Sequence, residues 1–447
     1  MALRQLVEAA FFLSFFYRFG YKNLNLMTMK TNRRNFLKSA SIASAGVVTL
    51  NSCKTTISKQ TVDYSTLDEI LDKPVLKNEL FTVPVIIETL ELLRFNDNFL
   101  CRVRSTDGAE GISVGNNAQL QSVWPVFNVR LQPFFIGKDV RDLEKLYEEL
   151  YVYDSNYKLQ NLALWVPWAT IEFAILDMLG RIANKSIGEL IGEIHNSKVA
   201  VYQANNYRGK SAEESLEKIK EYVAKSQAKA VKFKVGGRMS KNMDYPPGRT
   251  EKLIPMVREA FGSEMTIYAD SNGSYDAKEA IRIGKMMEEY KYDFYEEPVP
   301  FDWYEETKQV TDALSIPVAG GEQEPSMRNF RWLIGNRALD VVQPDMFYFG
   351  GMIRSVKVAR MADAFGMPCV PHISGSGLGY LYMMHFVSAI PNAGPFHEFK
   401  GFNDEIPLEC KTSSLESIDG VVTVPSGPGS GIEIDPGFIA KHTVVKV

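Results

Sequence analysis

Between Val199 and about Glu398 the chain repeats one unit: a short apolar run, a turn, then an amphipathic helical pattern. The runs VAVYQA, AVKFKV, TIYAD, DFYEE, IPVAG, VVQPD, PCVPH and PFHEF are eight strand candidates, with helical patterns such as AKEAIRIGKMMEEY and MIRSVKVARMADAF between them. Eight strands alternating with helices predict a closed barrel of parallel strands. Three runs close on an acid, Asp270 ending TIYAD, Glu296 in DFYEEP and Glu322 ending IPVAGGE, at equal steps of 26 residues, about one strand-helix unit. Equal steps put the three carboxylates at one height and around one mouth. Converging acids repel one another strongly unless a cation sits among them. The spacing therefore predicts a hard divalent ion held by Asp270, Glu296 and Glu322. Glu297 is an alternative ligand beside Glu296, which the equal step disfavours.

The barrel occupies only part of a 447-residue chain whose 45% hydrophobic and 23% charged composition is ordinary for a globular enzyme of more than one domain. Fifty Lys and Arg against 54 Asp and Glu leave a net charge of −4. That balance carries no basic footprint for a nucleic-acid partner. Residues 54–78 read as a polar linker. Beyond it, PVIIETLELLRF and FLCRVRS, joined by Asn96-Asp97-Asn98, and then GISVG predict a small antiparallel sheet. Helical patterns follow in DLEKLYEELY, LALWVPWATIEFAILDMLGRIA and SIGELIGEI. In the long apolar one, Trp168, Ile171, Ala174, Ile175 and Met178 recur at helical spacing, which predicts a buried helix. These elements make an α+β capping domain over 79–197, the barrel spans 198–405, and a Gly- and Pro-rich segment, 406–447, is expected to return to the cap.

The four cysteines, Cys53, Cys101, Cys369 and Cys410, show neither zinc spacing nor a disulfide framework. Residues 1–53 read as a targeting region. TNRRNFLK, containing Arg33-Arg34, precedes the mildly apolar SASIASAGVVTL and then Asn51-Ser52-Cys53, and the whole resembles a twin-arginine export signal ending in a lipoprotein cleavage site. Cys53 would carry the lipid, placing the protein in the periplasm or anchored at the membrane, with a cytoplasmic protein as the alternative. Met27 or Met29 is the expected start, and the earlier run LVEAAFFLSFFY is too short to span a bilayer.

Chemistry converges on the same barrel mouth. In AVKFKV, Lys232 and Lys234 leave one face of a strand while Val231, Phe233 and Val235 leave the other to pack under helices. A nearby cation lowers a lysine pKa and frees the neutral amine to act as a base. Asp345 ends VVQPD and His372 ends PCVPH, so an Asp fixing the tautomer of a His is expected, with His372 a second acid or base. Glu398, in PFHEF, is placed to exchange a hydrogen bond with a substrate oxygen. Asn272 is either a substrate or supporting contact or a turn residue. His195, His385 and His442 read as surface or packing residues, and His397 faces either the mouth or the packing.

Taken together, KFK, DSNG, EEP, GGE, QPD and PHISG, with the Gly350-Gly351 loop, resemble the mandelate racemase branch of the enolase superfamily from about Phe81 to the tail. The resemblance implies a modified (β/α)7β barrel with an N-terminal cap, one Mg²⁺ on Asp270, Glu296 and Glu322, and a homo-oligomer. It further implies Lys234 as one base with Lys232 its neighbour, His372 oriented by Asp345 as the other, and Glu398 as the electrophilic partner. Such sites abstract the proton α to a carboxylate and stabilise the enediolate. The expected substrate is a small carboxylate and the expected reaction is dehydration of a sugar acid, an aldonate or aldarate. Racemisation or epimerisation of a 2-hydroxy acid, and cycloisomerisation, are alternatives through the same intermediate. A barrel that only binds acid sugars is expected to have lost a base or a ligand, and this chain retains them all. The stretch GRMSKNMDYPPGR after Lys234 is long for a helix connection and is expected to reach over the mouth.

Overall fold

A computed structural model describes residues 62–446 except 206, 375–376 and 402–405; Arg33, Arg34 and Cys53, with the whole expected signal, lie outside the described residues. Three antiparallel strands open the cap: β1 (Ile87–Phe95), β2 (Asn98–Ser105) and β3 (Glu110–Val114). Asn96, at φ 53, takes the left-handed turn that lets β1 fold back onto β2.

The long apolar pattern forms the 22-residue helix Leu162–Ala183, every residue of which from Leu164 to Gly180 is buried. Its length and apolarity would suffice to cross a membrane, yet its apolar window is 89% buried inside the protein. Two acids interrupt it, and backbone amides answer both. Glu172 Oε1 accepts from Met352 N at 2.6 Å and Ile353 N at 3.2 Å, while Asp177 accepts from Ile112 N at 3.0 Å and Ser430 N at 2.8 Å.

The barrel runs β4 (Lys198–Ala204), β5 (Ala230–Lys234), β6 (Thr266–Asp270), β7 (Phe294–Glu296), β8 (Val318–Gly320) and β9 (Val341–Val342), each parallel to the next, and β10 (His397–Phe399) pairs with β4. The seventh stave, PCVPH, is not a full strand. It closes the ring through isolated bridges, Val342 to Cys369, Asp345 to His372 and Cys369 to Ala393, because Pro344, Pro368 and Pro371 carry no amide to donate. Seven helices lie between the eight staves, so the barrel has the modified form expected. The helix after β4, Ala212–Ser226, starts at a capping box of Ser211 and Glu214.

Inside the barrel the pleat sorts side chains into layers. Ala230, Tyr268, Phe294, Val341 and Val370 form an apolar floor, with Tyr268 and Phe294 stacked at 3.7 Å between ring centres. Two residues further along the same staves stand Lys232, Asp270, Glu296, Gln343 and His372. One step of pleat thus separates a dry plug from a charged mouth.

Two expectations change. The described part of 54–78 is not a linker: helix α1 (Ser65–Leu71) docks on the barrel wall, burying Leu67 and Ile70, with Asp68 gripping Arg331 at 2.6 and 2.5 Å. Seven residues are too few for periodicity to register. The tail first adds β11 (Val421–Thr423) antiparallel to barrel strand β4 and then pairs β12 (Thr443–Val444) with cap strand β1.

Candidate active site

Strand parity puts both lysines of β5 inside the barrel, where the register sets Lys234 beside Asp270 and Asp270 beside Glu296. Lys234 bonds the Asp270 carboxylate directly. Lys232 Nζ lies 2.6 and 2.8 Å from the Glu296 oxygens and 3.7 Å from Glu398. Burial disfavours the Lys232 ammonium, but Glu296, Tyr202, Glu398 and Asp270 outweigh it and hold this group well above the ordinary lysine range.

Carboxylate oxygens of Asp270, Glu296 and Glu322 all lie within 4.8 Å of one another, and all three residues are buried. Burial raises the Glu296 carboxyl, and Asp270 and Glu322 add to that, to about 7 against the pull of Lys232. Asp270 is lowered in spite of its burial by Lys234, Lys232 and Arg208. Glu322 Oε2 is buried without a hydrogen-bond partner among the described residues. Three hard oxygen donors, one of them unsatisfied, fit a small divalent cation. Glu297 stands outside this triad, its carboxylate on Asn272 Nδ2 at 3.2 Å.

Across the mouth, His372 Nδ1 meets Asp345 Oδ2 at 2.7 Å, and its Nε2 faces Glu322 at 3.5 Å and Glu398 at 3.8 Å. Burial alone would depress the imidazole pKa; Glu322, Asp345 and Glu398 lift it to about 9. Asp345 is itself held by the amides of Phe347 and Tyr348, both at 2.8 Å, and by Ser374 Oγ at 3.0 Å.

Burial opposes ionisation of Glu398, but Lys400, Lys232 and His372 together hold it well below the usual carboxylate range. An ionised carboxylate accepts hydrogen bonds and donates none. Lys400, paired with Glu398 Oε1 at 2.5 Å, is a site residue that the sequence reading does not name; it stands two positions after Glu398, the same parity that marks Lys232 and Lys234. Gln343, which donates to Glu296 Oε2 at 2.7 Å, was legible in the same way, two positions before Asp345. Arg208 lies in a loop and carried no periodic signal.

Asn272 is both turn and support: at φ 42, its Nδ2 donates to Asp270 Oδ2 at 3.1 Å and to Glu297. His397 turns away from the mouth, with Nε2 on Gly394 O at 3.0 Å. His385 packs in the core against Ser430 O, and His442 against Phe438. In the stretch after Lys234, Met239 N and Asn242 N bond the carbonyls of Asn272 and Ser274, which ties it to the loop that follows Asp270.

Residues 214–438 match the family described as enolase C-terminal domain-like. The chain is 27% identical over 315 residues to an arabinonate dehydratase of Saccharolobus solfataricus, covering 70% of this chain and 81% of that one. It is 28% identical over 312 residues to a D-galactarolactone cycloisomerase of Agrobacterium fabrum, covering 68% and 80%. A crystal structure of a candidate racemase from Roseobacter denitrificans superposes with a TM-score of 0.73 at 30% identity, covering 80% of this chain and 98% of that one.

Proposed function

This chain belongs to the enolase superfamily, and from that premise we propose that it is a Mg²⁺-dependent dehydratase of a sugar acid. The observation that carries the reading is the opposition of two unlike proton carriers. Lys234 stands on one side of the triad, bonded to Asp270, and His372, with Nδ1 on Asp345 at 2.7 Å and Nε2 turned into the mouth toward Glu322 and Glu398, stands on the other. Elimination needs a base for the α-proton and an acid for the leaving hydroxyl, which this asymmetry supplies. The curated relatives include dehydratases of arabinonate, xylonate, gluconate and talarate or galactarate, together with a cycloisomerase.

Asp270, Glu296 and Glu322 would hold the ion, which when bound supplies positive charge for the substrate carboxylate. Lys234 in its amine form takes the α-proton, and the C–H electrons become the enediolate double bond. Lys232, kept cationic by its acid neighbours, faces the developing charge. His372 Nε2 donates its proton to the β-hydroxyl as that C–O bond breaks. Water leaves, and the enol left behind tautomerises to a 2-keto-3-deoxy acid. Glu398, as a carboxylate, accepts from a substrate hydroxyl.

Incubation with Mg²⁺ and a panel of sugar acids tests this: a semicarbazide-reactive keto acid must form, and must be lost in Lys234→Ala and His372→Asn. An inverted, ring-opened or deuterated substrate without keto acid would replace dehydration with racemisation or cycloisomerisation. For location, the resemblance of TNRRNFLK and Asn51-Ser52-Cys53 to a twin-arginine lipoprotein signal supports the reading of a periplasmic or lipid-anchored enzyme.

A further inference from the structure

A buried line of hydrogen bonds runs from the cap domain to His372. Asn116 follows β3 and is the N-cap of the cap helix Asn117–Val126, with its Oδ1 accepting from Gln119 N at 3.2 Å. That bond assigns the oxygen, so the amide nitrogen faces the other way. Nδ2 donates to Ser374 Oγ at 3.0 Å across 258 positions of sequence, and both residues are buried. Ser374 Oγ lies 3.0 Å from Asp345 Oδ1, and Ser374 N bonds Asp345 Oδ2, the oxygen that holds His372 Nδ1.

The direction of this line is fixed by chemistry. An amide nitrogen only donates and a carboxylate only accepts, so the Ser374 hydroxyl receives the bond from Asn116 and gives its single proton to Asp345. Each bond polarises the next. The same cap helix approaches the pair a second time: Gln119 Nε2 stands 3.4 Å from Tyr348 OH, and Tyr348 N donates to Asp345 Oδ1 at 2.8 Å. Val114 N, two residues before Asn116, donates to Tyr382 OH at 2.9 Å, which ties this end of β3 to the barrel helix Gly379–Ala389. Capping alone accounts for the Asn116 oxygen, and Ser would cap as well. It does not account for the nitrogen. Without that donor, nothing on the cap side holds the Ser374 hydroxyl on Asp345.

We propose that Asn116 is a positioning residue for His372: it locks the Ser374 hydroxyl onto Asp345, so that the seating of the cap on the barrel sets the imidazole that meets the substrate. The role of His372 as proton donor rests on the dehydratase reading; the relay that holds it does not depend on which acid is consumed.

The first test needs no substrate. The chain has five histidines. In the ¹⁵N-labelled full chain with Mg²⁺, at one fixed pH, the carboxylate-bound Nδ1 proton of His372 should give a deshielded, slowly exchanging resonance, assigned by its absence in His372→Asn. Asn116→Ser keeps the cap oxygen but is too short to reach Ser374. It is expected to shift that resonance and speed its solvent exchange by about ten-fold. Ser374→Ala should do the same, Ser374→Thr should keep the resonance close to its parent position, and Asn116→Ser should add nothing in the Ser374→Ala background. On whichever of arabinonate, xylonate, gluconate or galactarate yields keto acid, Asn116→Ser should lower kcat by about ten-fold and leave KM within about two-fold.

A resonance and exchange rate unchanged in Asn116→Ser overturn the relay. So does an effect of Asn116→Ser that persists undiminished in the Ser374→Ala background, or a loss confined to Asn116→Ala, which removes the cap oxygen too and is how a plain helix cap behaves. Should Ser374→Ala fail to fold, the comparison of Asn116→Ser with Asn116→Ala decides. A resonance that moves as expected, with no keto acid from any of the acids, would refute the dehydratase reading and leave the relay standing.

Discussion

Nδ1 of His372 sits 2.7 Å from Oδ2 of Asp345, and the two residues, which end adjacent staves, also pair through an isolated backbone bridge. With Nδ1 committed to Asp345, only Nε2 is left to meet a substrate, so one hydrogen bond decides both orientation and tautomer.

That pairing has a pH consequence. The folded-state imidazole is raised to about 9, chiefly by Glu322 against its burial. Because the folded pKa lies above the unfolded one, the stabilisation is fully present below about 6.5 and is lost as pH rises through about 9. Melting curves of metal-free protein from pH 6 to 10 should show a decline that is absent in His372→Asn. Asp345→Asn should move the imidazole titration, followed by NMR, to lower pH and reduce kcat by ten-fold or more, about 1.4 kcal/mol or more of barrier.

Removing the ion should be visible without any substrate. A ligand bound only to the folded state at a hundred-fold excess over its Kd adds about 2.7 kcal/mol. EDTA should therefore lower the Tm, and Mg²⁺ or Mn²⁺ should restore it. Glu322→Gln, which neutralises the one triad oxygen left without a partner, should abolish the restoration. A Tm that ignores both chelator and ion would reject the triad as a metal site.

Gly351 is at φ +104, and an added Cβ would collide with the Glu172 carboxyl that caps the helix beginning at Met352. Gly351→Ala should destabilise the fold by about 2–3 kcal/mol through backbone strain and the lost cap. It should also lower activity, because the same loop carries Asp345. Urea denaturation and a parallel assay would check both effects.

Leu67 is fully buried where α1 docks on the barrel. Leu67→Ala should cost about 2–5 kcal/mol by transfer and cavity terms. Limited proteolysis should then cut before residue 78 in the variant and spare the parent; equal cutting would mean that the helix is not held.

If Cys53 bears lipid, labelled palmitate should enter the parent protein and not Cys53→Ala, and the variant should leave the membrane fraction. Recovery of both forms from the cytoplasm would discard the export reading.

Much of the site was legible because a β-strand makes orientation a matter of counting. Lys232 and Lys234 share a face for that reason, and the equal steps carry Asp270, Glu296 and Glu322 to one level. The same count applied to Glu398 and Asp345 would also have marked Lys400 and Gln343. Helix α1 escaped because seven residues, about two turns with three apolar side chains, have no measurable period. Arg208 escaped because a loop has no period at all.

The linear order of residues determined the barrel, its charged mouth and the identity of the groups facing inward, since these follow from periodicities of 2 and 3.6 that local chain geometry imposes. Only the tertiary structure decided their protonation. Whether Glu398 is an acid or a carboxylate, and whether His372 is neutral or charged, depends on which partners stand within a few ångströms across the ring. Those distances arise when staves far apart in sequence close on one another, and electrostatic energy inside a protein is governed by such distances.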